Sequence, residues 1–91
     1  MIADKMTAST LEVGVDDIIL RGDSAGIVIA CACEHGRLFA VVEVLALSAR
    51  ITDHATAFVR AGVQDVWDAS QLDLAIAWYV RPDGSVVVIY T

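Results

Sequence analysis

Positive charge is what this chain has least of. Its 91 residues carry 6 Lys and Arg against 12 Asp and Glu, for a net charge of −6. The basic residues, Lys5, Arg21, Arg37, Arg50, Arg60 and Arg81, stand singly along the chain. Binding a phosphate backbone needs a clustered positive surface that displaces counterions. Nucleic acid is therefore not expected as a partner, and an anionic membrane surface is disfavoured for the same reason. Cysteine is scarce as well, with only Cys31 and Cys33. Two apart in a strand, they share a face, and a disulfide between them would strain the backbone. Secreted disulfide scaffolds normally carry more. The opening MIADKMTAST holds no apolar segment of the kind a secretory signal needs. Nor does any window reach the roughly 18 charge-free apolar residues of a membrane-spanning helix, because Glu34, Arg37 and Glu43 interrupt the longest candidate. Together these absences predict a cytoplasmic chain with no membrane partner and no cofactor.

What is abundant is apolar material, at 57% of residues against a usual share of about 45–50%. A chain this short makes one domain and buries only about two-thirds of its unfolded surface. The surplus has two ordinary outlets, an oligomer interface or an internal pocket. A two-fold homodimer is the simplest form of the first. Residues 1–10, rich in Thr, Ser and Ala, read as a flexible N-terminal tail, leaving 11–91 as the single domain.

Residues 26–47 organise that domain. Ile27, Val28 and Ile29 are β-branched and favour an extended backbone. Leu38–Leu47 fits a strand at period 2 and a helix at period 3.6, so pattern alone does not choose. The short break Glu34-His35-Gly36-Arg37 favours a hairpin, since Gly36 tolerates positive φ. Neither strand of that hairpin shows clean alternation, so both faces must be covered, by a second protomer or by closure of the sheet into a barrel. Upstream, Leu11–Leu20 reads as one bulged strand or two short ones.

Further on, Thr52-Asp53 reads as the cap of a short helix over 54–61, with Gly62 just past its end. Val63–Ser70 reads as a connector. Leu72–Val80 alternates cleanly and returns through the Arg81-Pro82-Asp83-Gly84 turn into Val86–Tyr90. The expected architecture is α+β: a mostly antiparallel, curved sheet of four to five strands packed with one or two helices.

Four groups of residues carry chemistry worth testing. Gly22-Asp23-Ser24-Ala25-Gly26 fits the Gly-x-Ser-x-Gly pattern and resembles, over these five residues, the GDSAG box of the lipase-like branch of the α/β-hydrolases. The resemblance implies a nucleophilic Ser24, a helix after it, and an acid and then a histidine later on a much larger sheet. The plainer reading is a turn between two strands. Cys31, Cys33 and His35 are spaced to share one strand face, a soft-metal donor set, or else a buried apolar row. Glu43 interrupts an apolar run and needs a partner or a cleft. Arg37, Arg50 and Arg81 are candidate partners, and with His35 or His54 it would make an acid–base pair. Trp67, between Asp65 and Asp68, and Trp78 are candidate recognition groups beside Glu43 and Arg37, as pocket walls or interface anchors. The leading functional expectation is a self-associating domain that binds a small apolar ligand or a protein partner without catalysis. The alternative is a small enzyme built on a carboxylate–histidine pair, with a serine hydrolase behind it.

Overall fold

The computed structural model describes residues 2–3, 5–8 and 11–90. It is nearly all sheet, 73% strand and 4% helical. The strands are β1 (Ile2–Ala3), β2 (Lys5–Ala8), β3 (Leu11–Gly14), β4 (Ile18–Arg21), β5 (Ser24–Glu34), β6 (Arg37–Thr52), β7 (Ala55–Asp68), β8 (Asp73–Leu74), β9 (Ala77–Val80) and β10 (Val86–Ile89). A single 3-10 turn, Ala69–Gln71, separates β7 from β8. Among the described residues no helix is long and apolar enough to cross a membrane.

Seven strands form one antiparallel sheet in the order β8-β4-β5-β6-β7-β10-β9, with β1 added on β5 and β2–β3 as a separate hairpin. This corrects the α+β expectation of four to five strands with one or two packed helices. The segment expected to be helical, 54–61, lies in β7 apart from His54, and so does most of the expected connector. The local signals were genuine but belonged to other structures. Thr52 does accept a backbone N–H, from His54 at 3.1 Å, yet it does so in the tight Asp53-His54 turn that joins Thr52 to Ala55. Gly62 does take positive φ, at +70°. It sits where the ladder jumps from Val44↔Val63 to Leu45↔Arg60, so it makes a bulge instead of ending a helix. Leu38–Leu47 is strand throughout, paired with β5 on one side and β7 on the other. Of the expected tail, residues 1, 4, 9 and 10 lie outside the described ones, while Ile2–Ala3 pairs with Ala32 and Cys31.

Both faces of β4 and of the central stretches of β5 and β6 carry buried side chains, which is why their sequences lack alternation, while Ile29 at 40% and Leu47 at 67% stand exposed. Successive side chains point to opposite faces. Ile19, Val28, Cys31, Ala40 and Val42 therefore build one core with Trp67, roofed by Val13 of β3 and by Ala69 and Leu72 around the 3-10 turn. Ile18, Ala25 and Leu45 build a second core with Phe58, Val86 and Val88. Trp67 fits the first core because Gly26 has no side chain. A Cβ there would lie 3.2 Å from the indole and 3.1 Å from Val42 Cβ.

The sheet also runs back to itself. β8 pairs with β4 through Ile19↔Leu74 and Leu20↔Asp73. Two residues later the same stretch of chain has joined β10, where Ile76 N donates to Ile89 O at 2.8 Å and Ala77–Val80 pair with Val86–Ile89. The strands at the two ends of the sheet are thus one piece of chain. The hairpin expected from the Arg81–Gly84 turn is the part that completes the ring, with Gly84 at φ +87°.

Candidate functional site

The ring does not close along its whole height. Continuing the β4–β8 register would set Asp17 beside Ile76 and Asp16 beside Ala77, and neither pair forms. Asp16 adopts φ +73°, a left-handed conformation that Asp tolerates better than most residues. Its N–H donates to Val28 O at 2.8 Å, while Asp17 N donates to Gly14 O at 3.1 Å. The backbone of this bank is therefore used within its own turn and by β5, while β9 is drawn to β10. Between the two banks lies a cleft of about 470 Å³. Ile18 and Ile27 form one wall and Trp78, Val80 and Val86 the other, with Asp16 and Arg60 also lining it.

Trp78 is 43% exposed and Val80 59%. Ile76 and Tyr79 are exposed as well, so the β9 segment carries uncharged apolar side chains on both of its faces. The outer edge of β9 has no strand partner among the described residues.

Arg60 reaches the cleft already engaged. Its Nε donates to Glu43 Oε2 at 2.8 Å and its Nη2 to Glu43 Oε1 at 2.7 Å, a bidentate pair. The Arg60 hydrogen bonds hold the Glu43 carboxyl below its ordinary range and in turn raise Arg60. Glu43 is directly opposite Gln64, and Arg60, opposite Leu45, is its diagonal neighbour across the ladder. Arg60 was missing from the partners expected for Glu43. Its position could be reached from sequence only by reading 54–61 as the return strand of a hairpin.

The other singled-out residues are dispersed. His35 lies in the β5–β6 turn at φ +53°, with Nδ1 3.9 Å from Glu34 Oε1. His54 lies in the turn at the other end of β6, where its carbonyl accepts from Tyr90 N at 2.9 Å. Glu43, midway between them, therefore meets neither imidazole. Ser24 opens β5 directly after the two-residue Gly22-Asp23 turn, paired with Arg21. Strand follows it, where a nucleophile elbow requires a helix.

Cys31 is buried and its Sγ donates to Val13 O at 3.7 Å. Cys33 lies on the same face, but the turn carries His35 away from it, and no group of three metal-ligating side chains assembles among the described residues. Arg37 pairs with Asp68 and lies 5.6 Å from the Phe39 ring. Asp68 caps the 3-10 turn, and its bonds from Ser70 and then from Arg37 keep its carboxyl low. Trp67 is fully buried, donates from Nε1 to Asp65 Oδ2 at 3.2 Å, and carries the Arg21 guanidinium 4.5 Å above its ring.

Of the four expected recognition residues, only Trp78 lines the cleft directly; Glu43 reaches it through Arg60. A smaller hollow of about 250 Å³ at the other end of the second core involves Leu20, Leu47, Arg50 and Tyr90. Its rear is tied by the Thr56–Tyr90 hydroxyl pair at 2.7 Å.

No protein-family model, curated protein or solved structure matches the chain. Function therefore rests on the geometry of its own residues.

Proposed function

We propose that the protein is a small, self-associating binding domain that holds an apolar ligand in the open seam of its sheet and performs no catalysis on it. The observation that carries this reading is the seam itself, an apolar cleft lying directly beside a strand edge with no strand partner among the described residues. Its volume of about 470 Å³ falls within the usual span of small-molecule sites, roughly 300–1,000 Å³. The dispersal of Ser24, His35, His54 and Glu43 supports binding over chemistry. The scarcity of cysteine fits a cytoplasmic setting.

Self-association follows from the character of β9. Arg81 N donates to Ser85 O, so by alternation the N–H and C=O of Trp78 and Val80 face outward from the sheet. Natural sheets blunt such edges with lysine, proline or a bulge. Ala75–Val80 has none of these residues and no charge. Antiparallel pairing with a second copy about Tyr79 would use all four outward groups and oppose Trp78 to Val80 twice.

Native mass spectrometry of the intact chain tests both parts. A dimer is expected, and Val80→Pro should be monomeric. That substitution removes an outward N–H and leaves the β10 ladder intact. A monomeric wild-type chain would overturn self-association, and a dimeric Val80→Pro would move the interface away from β9.

A further inference from the structure

We infer that the ligand of the cleft is an organic ammonium compound, an apolar body bearing one positive charge. This rests on the cleft being a binding site and names the class of ligand it takes. The charges around the cleft decide the sign. Arg60 is the cation that lines it, and its guanidinium is matched by the two oxygens of Glu43. Asp16 is the acid that lines it, and its side chain makes no hydrogen bond or ion pair among the described residues. Once the Glu43–Arg60 pair cancels, the cleft retains one uncompensated negative charge.

That charge sits at a fixed point. Asp16 is held in its left-handed turn by the bond from its own N–H to Val28 O. Across the cleft is Trp78, a residue 43% exposed that lines it and whose indole can attract a cation. Between them, Ile18, Ile27, Val80 and Val86 provide an apolar bed for an alkyl or aryl body. A carboxylate ligand would meet Asp16 unfavourably and find Arg60 already paired. A neutral apolar ligand would leave the Asp16 charge without a partner. The whole chain, at −6, adds a field of the same sign that draws cations toward it.

The test compares three six-carbon probes, n-hexylammonium, n-hexanol and n-hexanoate, by isothermal titration calorimetry at low ionic strength. The ammonium should bind about fivefold or more tighter than the alcohol, from one partly exposed ion pair and one cation–π contact. Hexanoate should bind weakest. In Asp16→Asn the ammonium should fall to the affinity of the alcohol. Asparagine accepts the left-handed conformation as readily as aspartate, so this variant keeps its fold. Asp53→Asn, at the β6–β7 turn, removes the same one negative charge and should leave the preference in place.

Hexanol binding as tightly as hexylammonium would overturn the charge assignment and leave the apolar site standing. Tightest binding by hexanoate would overturn it in favour of Arg60. Failure of all three probes to bind would remove the site itself.

Discussion

The two cores of this small sheet share strands β4 to β7, yet they end differently. The Trp67 core is sealed. It has a roof from Val13 of β3 and the 3-10 turn, an indole that fills the space Gly26 leaves, and an arginine laid over the ring. The Phe58 core is open at its margin, where β4 and β9 part and Trp78 stands half in water. The chain thus uses one tryptophan to finish a core and the other to line a cleft. What separates them is whether the neighbouring backbone continues its ladder.

Truncating each tryptophan should show the difference most clearly. Trp67→Ala is expected to lose about 3–5 kcal/mol of stability, as for other large buried aromatics, read by urea unfolding. Trp78→Ala should cost clearly less, about 1 kcal/mol, the central value for point substitutions, while weakening hexylammonium binding. Similar losses in the two variants would erase the distinction between sealed and open cores. Next in size is Gly26→Ala. The new methyl meets a fully buried indole and the β6 backbone side of Val42, neither of which can withdraw, so a loss of about 1–3 kcal/mol is expected.

These residues also show how far the sequence could be read. The 26–47 hairpin and the C-terminal hairpin were legible because β-branched runs and turn glycines act locally. The missing alternation marked strands that feed a core on each face, but full coverage does not follow from it, since Ile29 and Leu47 stay exposed. The helix over 54–61 was misread because Thr52 and Gly62 give the same local signal in a tight turn and a bulge as at helix ends. Only the register between β6 and β7, a non-local fact, tells them apart. The cleft was invisible for a related reason. It depends on Ala75-Ile76 leaving one ladder for another, and no residue there announces the change. Glu43 was recognised as needing a partner, but Arg60 becomes its neighbour only through the bulge at Gly62.

A smaller effect tests the pair beneath the cleft. Because its folded carboxyl titrates below the ordinary range, Glu43 contributes stability that is complete above the unfolded carboxyl value of about 4.3. That contribution is lost as pH falls through the lower, folded value. Wild type should therefore melt above Glu43→Gln at neutral pH, and the gap should close as the solution is acidified below about pH 4. A gap that persists in acid would mean that Glu43 acts by packing, not by charge. Smallest of all, Ser24→Ala should change stability by no more than about 0.5 kcal/mol, since Ser24 serves here as a strand residue after a turn. A larger change would give its hydroxyl a role the hairpin does not explain.

The join between β4 and β8 has a consequence in time. Ile19 and Leu74 come from opposite ends of the described chain, and such distant pairings bear the largest loop-closure cost during folding. The meander from β4 to β7 can zip turn by turn, but the ring cannot shut until β8 arrives. The last clasp to form, held by only two residue pairs, should also be the first to let go. Brief openings there would widen the adjoining cleft long before the Trp67 core loosens. Hydrogen exchange should record this as faster amide turnover at the β4–β8 join than at Val42 or Trp67.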